Sequence, residues 1–426
     1  MPQSVPQTMP LDRRLWVPIV LVGLVGQLAW TVENMYLNVF IFETITDNPT
    51  VIATVVAASA ITAGLTTILM GPWSDRLGRR RPFISGGYVL WGLTTAAFGL
   101  ITVGGPLGLS VGAAIIAVIA LDCIMTFFGS TANDAAYQAW VTDVTTPADR
   151  GRVDGVVQTL PLISMLIVFV ALDPLTQDGR WMAFFGTVGA VVLVVGLLSR
   201  FLIRDVAVPV ERKESYAASV LHQLRASAVR ERPLLYLALF TWALWGISTQ
   251  VFMPFLLIYL DHFLRLEAYA LVLGGALIIA AVLTILGGRV IDRVGKAPVL
   301  LPAMGLYVAS LVVFSFTRET VPVLLAGALV LTGMLLTAAT LAAITRDQTP
   351  VDRAGSVQGV RMLLTIMVPM VVGPFIGAAV IASNNETYTD LGVTRIVPTP
   401  AIFLAAAVVL LLAVVPALRL RSRITS

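Results

Sequence analysis

The sequence predicts an all-α polytopic membrane protein of twelve transmembrane helices, arranged as two pseudo-symmetric six-helix bundles. Three observations predict it. The chain is 58% hydrophobic and 12% charged, with a mean hydropathy of +0.90, whereas soluble domains carry about 25% charged residues. Its apolar residues run in stretches that can cross a hydrocarbon core about 30 Å thick, which takes roughly 20 residues of helix. The second half of the chain also repeats local features of the first.

In chain order the apolar stretches lie near 15–42, 51–71, 83–103, 109–141, 155–172, 181–203, 234–260, 269–288, 299–317, 321–345, 360–382 and 400–418. The fourth is too long for one straight span, so part of it tilts or projects. All are continuously apolar rather than alternating, which argues against the strands of a membrane barrel. The first bundle then covers 15–203 and the second 234–418, joined by a linker over 204–233 with a polar helical stretch from Glu214 to Arg230. Residues 1–14 and 419–426 remain as tails, the first ten residues having a Pro- and Gln-rich, disorder-prone composition.

The cations set the orientation. With both termini cytoplasmic, only Arg180, Arg265, Arg318 and Arg395 fall outside, and the other 24 of the 28 Lys and Arg lie on the inner side. This is a strong positive-inside bias, and it predicts a multi-pass protein of the cell membrane, surrounded by lipid. The first span is too long for the apolar region of a cleavable signal. The single Cys123 excludes an internal disulfide and a Cys-built zinc site. His222 and His262 show no HExxH spacing, so no metal or other cofactor is expected. There is no nucleophile–base set or phosphate loop, which argues against an enzyme. A net charge of only +4 offers nothing for nucleic acid.

Charge concentrates at one place. Gly71–Ile84 reads GPWSDRLGRRRPFI, with five charges in Asp75–Arg81. The stretch TILMGPWSDRLG (67–78) reappears as TILGGRVIDRVG (284–295), seven of twelve positions agreeing at an offset of 217. TPADRGRVDGV (146–156) has a looser echo in TPVDRAGSVQGV (349–360). Parallel six-helix halves are a known transporter plan. GPWSDRLGRRRP resembles the signature loop of the major facilitator superfamily, and the longer GRRRPFI resembles its sucrose/proton and glycoside–pentoside–hexuronide:cation symporter branch. Glu33, in WTVENMYLNVF, is similar to a first-helix glutamate of some relatives. The helix-4 aspartate of the sucrose transporters sits nearer the following turn than Asp122 and does not align with Asp134.

That resemblance implies the major facilitator fold, alternating access and a cytoplasmic gate. The gate residues would be Gly71, Asp75, Arg76, Gly78, Arg79 and Arg80, with Asp143 and Arg150 in the next cytoplasmic turn and Gly288, Asp292 and Arg293 in the second half. Physically, Gly71 leaves room for close helix approach. Asp75 can accept from amides at a helix N-terminus, and the arginines can fork onto Asp143, Asp149 or Asp154. Arginines also anchor topology and headgroups, but that role does not account for the repeated Asp and Gly.

Transport chemistry belongs where polarity is costly. Among the acidic residues only Glu33, Asp122 and Asp134 fall inside predicted spans, and an intramembrane ionisable group is a functional candidate. Each could carry a coupling proton, and each could equally be a carboxylate hydrogen-bonded to neighbours; Na+ is the alternative ion. Helical spacing puts Gln27, Thr31, Asn34 and Asn38 on one stripe, with Glu33 about 100° away. On the fourth span Asp122, Thr126, Asn133 and Tyr137 share a face, with Asp134 and Gln138 beside it. Substrate-binding candidates are Gln27, Trp30, Asn34, Asn133, Tyr137, Gln138, Trp242, Trp245 and Gln250, since aromatic faces and amides together suit a sugar ring. Packing and interfacial anchoring are equal alternatives for the tryptophans. The reading is a proton-coupled sugar importer acting as a monomer; an exporter of amphipathic compounds is the second, and a non-transporting receptor the third.

Overall fold

Freedom from charge over twenty or more residues leaves the backbone one economical choice, because in hydrocarbon each amide must find its partner inside its own helix. The computed structural model describes residues 13–205, 223, 225–349, 354–384, 386–390 and 393–425. Among these residues, twelve helices are long and apolar enough to cross a membrane. They are α1 (Arg14–Thr44), α2 (Pro49–Ser74), α3 (Arg81–Leu100), α4 (Val111–Val144), α5 (Gly151–Gln177) and α6 (Trp181–Leu202), then α7 (Pro233–Phe263), α8 (Tyr269–Val294), α9 (Lys296–Phe316), α10 (Thr320–Asp347), α11 (Val357–Asn384) and α12 (Ala401–Ile424). Large apolar side chains point away from the protein, with Phe201 80% and Phe316 74% exposed. Such a surface suits lipid, not water. We call the side that carries the termini and the loops after even-numbered spans the basic face, and the opposite side the far face.

Packing repeats between the halves. α3 packs on α6 and α1 on α5 and α6; correspondingly α9 packs on α12 and α7 on α11 and α12. The α3–α6 contact is close because two glycines meet: a Cβ on Gly92 would stand 2.5 Å from the Gly189 carbonyl, and one on Gly189 2.5 Å from that of Gly92. Small residues permit this approach where no hydrophobic force drives helices together. The repeated Asp-Arg-x-Gly motif has a backbone role in both copies. Gly78 (φ 59°) and Gly295 (φ 95°), separated by the repeat offset, close the helices that end at Leu77 and Val294. Only glycine takes these dihedrals freely.

The chain divides into two compact units. One holds Met1–Val32, Leu65–Ile101 and Ala120–Arg212; the other holds Glu33–Gly64, Thr102–Ile119 and Lys213–Ser426. The division does not follow the two bundles, because the far-face ends of α1, α2 and α4 belong to the second unit. Within that unit a hairpin of β1 (Thr387–Asp390) and β2 (Val393–Ile396), pairing Tyr388 with Arg395, grips the end of α1. Arg395 donates from Nη1 to the Phe42 carbonyl (3.1 Å) and from Nη2 to that of Glu43 (2.9 Å). The Ile396 amide donates to Asp47 (2.7 Å).

Several expectations need adjustment. The hairpin is an addition to the all-helical reading; its alternating Thr, Tyr, Val and Ile about a Leu-Gly pair carry a strand signal that the hydropathy scan passes over. The Pro-x-Asp-Arg segment at 147–150 opens the helix Pro147–Val157 rather than forming a turn, and Thr146 Oγ1 donates to Asp149 (2.7 Å) just ahead of it. Its second copy overlaps residues 350–353, outside the described residues, as does the linker over 206–222 with most of the stretch read as helical. A short helix, Ala226–Glu231, follows there.

Gly295→Ala should destabilise the protein by about 1–3 kcal/mol, because its φ and ψ lie where only glycine is comfortable. Gly78→Ala should cost about 1–2 kcal/mol. Thermal unfolding in detergent checks both, and unaltered midpoints would show that the turns relax at no cost.

Candidate functional site

Both leading intramembrane carboxylates sit where the α-helix widens. Glu33 lies in the π-turn Val32–Tyr36 of α1, and Asp134 in Ser130–Tyr137 of α4. Such turns disturb the regular ladder and recur at functional sites. They also break the face arithmetic that assumes 100° per residue. On α1, Thr31 and Asn38 are buried and donate to the carbonyls of Gln27 (2.8 Å) and Asn34 (2.9 Å). The Asn34 side chain is exposed and Gln27 is half-buried. The expected polar stripe is therefore not one wall.

Glu33 is buried, and Ser59 Oγ on α2 donates to its Oε1 at 2.5 Å. This is pairing with a neighbouring helix from the flank of the stripe. A hydroxyl can donate to a carboxylate or accept from a carboxylic acid, so Ser59 can serve either form. Asp134 is half-buried and accepts from the Asn133 amide (3.2 Å), with the Trp30 indole as a second donor. The Ser130 hydroxyl is a third partner, a group that can donate or accept. Trp30 also packs on Trp91 with ring centroids 4.9 Å apart.

The two α4 faces separate as the spacing suggests, but with different work. Asp122, Thr126, Asn133 and Tyr137 are all buried, whereas Gln138 is exposed. Tyr137 donates to the Ile19 carbonyl (2.7 Å), and the Asn133 carbonyl oxygen faces the Tyr88 hydroxyl at 3.1 Å. Asn133 and Tyr137 thus join α4 to α1 and α3 within the first unit, because buried polar atoms take protein partners. Gln138, Trp30 and Asp134 remain the accessible members of that group.

In the second unit, Trp242, Trp245 and Gln250 on α7 are half-buried. The Arg361 guanidinium lies over the Trp242 ring at 5.4 Å, a cation–π arrangement. Arg361 stands near the start of α11. The Trp245 Nε1 is buried with no acceptor among the described residues. Thr332, Thr337 and Thr340 of α10 return their hydroxyls to the carbonyls four residues back, which satisfies them locally.

On the basic face, Arg80 organises the first unit. Its Nε donates to Asp143 (3.1 Å) and Nη1 to Ser74 (2.6 Å). The amides of Arg80 and Arg81 donate to Asp205 Oδ1 at 2.7 and 2.8 Å. Asp205 therefore supplies a carboxylate at the N-terminus of α3, and no local signal marks it 125 residues away. The Asp75 and Arg150 side chains lie outside the described residues. Of the acidic partners expected for the arginines, Asp143 meets Arg80, while Asp149 takes Thr146. Arg76, Arg79, Asp292 and Arg293 are exposed. Among the described residues a Cβ on Gly71 or Gly288 would meet nothing within 4 Å. The second half repeats the ion pair in near register: Lys296, after α8, donates to Asp347 at the end of α10 (2.5 Å).

The family model of the Major Facilitator Superfamily matches residues 19–264 and 246–425. Among solved structures, a mutant of the nucleoside transporter NupG aligns with a TM-score of 0.74 at 13% identity, covering 96% of this chain and 99% of that one. A bacterial homolog of the human lysosomal transporter Spinster gives 0.64 at 16%, covering 96% and 95%. The xylose transporter XylE from E. coli gives 0.65 at 14%, covering 94% and 95%. Identities this low make the likeness one of fold. No curated protein matches the chain.

Arg80→Ala and Asp143→Ala should each destabilise the protein, with a coupling of about 1–3 kcal/mol in a double-mutant cycle, because the pair is largely shielded from water. A coupling near zero would reduce the pair to a surface contact.

Proposed function

Since the chain belongs to the Major Facilitator Superfamily, and is a multi-pass membrane transporter rather than an enzyme, we propose that it imports a sugar or glycoside by alternating access, driven by protons. The observation that carries the coupling is the Glu33–Ser59 pair. A proton carrier inside a membrane must be tolerated in both protonation states, and burial without a partner that serves both would be costly. Ser59 meets that requirement within the π-turn environment of Glu33. Asp134, with amide and indole donors beside an accessible Gln138 and Trp30, is placed to accept hydrogen bonds from substrate hydroxyls as well. Asp122, buried and toward the far-face end of α4, is the third coupling candidate.

For the substrate, Trp30 offers an aromatic face beside a carboxylate, and the second unit offers the Trp242 ring, Gln250 and the Trp245 indole N–H. Apolar faces with a few hydrogen-bonding groups are what a sugar ring requires. The cation distribution supports cytoplasmic termini in the cell membrane, which makes the basic face the inner one and puts the Arg395 contacts on the outer side.

Proteoliposomes loaded at one pH and diluted into another, with a labelled panel of monosaccharides, disaccharides, glycosides and nucleosides, provide the test. One proton per substrate over about one pH unit supports an accumulation of up to about tenfold, since that gradient is worth about 1.4 kcal/mol. Glu33→Gln should abolish this accumulation yet keep exchange of labelled for unlabelled substrate. Asp134→Asn should impair both. If Glu33→Gln still concentrates substrate, Glu33 is not the coupling site; if only Asp134→Asn separates accumulation from exchange, the site belongs on α4. A panel in which only apolar amphiphiles move, outward, would replace import with export. Trp245→Phe removes one donor while keeping a ring, and should raise the half-saturating concentration roughly fivefold, about 1 kcal/mol.

A further inference from the structure

Glu43 and His262 lie 219 residues apart, so no spacing rule connects them, yet the far face brings them together within the second unit. Glu43 stands at the end of α1. Asp261 and His262 occupy the π-turn Tyr259–Phe263 that ends α7. His262 Nε2 is 4.0 Å from Glu43 Oε1, and its Nδ1 is 3.5 Å from Asp261 Oδ2. One donor atom from each of the three residues can be chosen so that all lie within 4.8 Å of one another. We propose that these residues form a binding site for a divalent transition-metal ion at the far-face ends of α1 and α7, with one imidazole and two carboxylate donors.

The donor chemistry selects the ion class. Imidazole with carboxylates suits zinc and its borderline neighbours, whereas calcium and magnesium prefer oxygen alone. Ligand distances of about 2.0–2.1 Å in a tetrahedron space donors about 3.3 Å apart. With one ring nitrogen and one oxygen from each carboxylate, the donor atoms lie within 4.8 Å of one another, and side-chain rotation closes the difference. The carboxylates have room for it: the Glu43 side chain is 24% and that of Asp261 33% exposed, which also leaves water able to fill a fourth position. The imidazole, by contrast, is held in place. Its ring meets Phe42 edge-on at 4.8 Å and Tyr388 of the hairpin at 5.7 Å. A pre-oriented nitrogen is the part of a metal site that is expensive to order afterwards.

Two carboxylates flank one imidazole, and the two nearby guanidinium groups are directed at carbonyls and a ring. Arg395 donates to the carbonyls of Phe42 and Glu43, while Arg265 lies over the Tyr388 ring at 4.9 Å. The donors come from the first span of each half, α1 and α7. An ion held there ties those spans together at the far face, so it would act as a brake on opening that side rather than as cargo.

The test uses the full-length protein in detergent, titrated with Zn2+ against a colorimetric chelator near neutral pH. We expect one saturable site per chain. His262→Ala should weaken it by roughly tenfold or more, since even outer-shell partners of a metal change affinity by about 10–100-fold. Glu43→Gln and Asp261→Asn should each weaken it measurably, and His222→Ala, which removes the only other histidine, should leave it unchanged. A gel-filtration profile matching the parent protein separates lost ligation from lost folding, and the two carboxamide variants supply the reading if His262→Ala does not fold. Absence of saturable Zn2+ binding, or equal affinity in the parent and the folded His262→Ala protein, overturns the proposal and leaves a plain His–carboxylate contact. Because binding is read without transport, this outcome is independent of which substrate the protein carries.

Discussion

Everything in this molecule answers to one constraint: within a hydrocarbon layer no water is present to satisfy a polar atom. Each backbone amide and carbonyl must therefore pair inside its own helix. That requirement makes the spans helical before any tertiary contact forms. It also makes every departure from the regular ladder expensive, so the places where the ladder widens carry information. Glu33, Asp134 and the Asp261–His262 pair all sit in such π-turns. Two further π-turns, Val168–Leu172 and Leu363–Met367, hold no ionisable residue; at Glu33 the partner, Ser59, comes from the neighbouring helix.

Helix ends present the same problem in a milder form, since their last amides and carbonyls have no intrahelical partner. Two of them are closed here by charged side chains from remote segments. Asp205 takes the amides that open α3, and Arg395 takes the carbonyls that close α1. Both arrangements follow the helix dipole, an anion at the positive end and a cation at the negative end. Charge-assisted bonds of this kind contribute about 1.5–3 kcal/mol each when shielded from water. They tie segments that are more than a hundred residues apart within each compact unit.

Duplication is visible at the level of atoms as well as letters. Gly78 and Gly295 end equivalent helices with positive φ, and Arg80–Asp143 has a near counterpart in Lys296–Asp347. The copies have nonetheless diverged in duty. The intramembrane acidic residues read from the sequence all belong to the first half, whereas the second half brings a buried tryptophan N–H and an arginine stacked on a ring.

The number and order of the spans, the two-fold repeat and the family resemblance were legible in the chain itself. Hydropathy over twenty residues is a local energy, decided within one segment, and a repeated Asp-Arg-x-Gly records common ancestry without reference to contacts. The exposure of Gln138 and the burial of Asn133 and Tyr137 were half legible, because helical periodicity separates faces but does not say which one meets protein. The rest belonged to tertiary structure. Ser59 as the partner of Glu33, Asp205 on the α3 amides, Arg395 on the α1 carbonyls and the meeting of Glu43 with His262 depend on which helices lie side by side and on where a π-turn shifts the register. Those choices come from packing and the pairing of buried polar groups across long separations in the chain, and no local pattern encodes them.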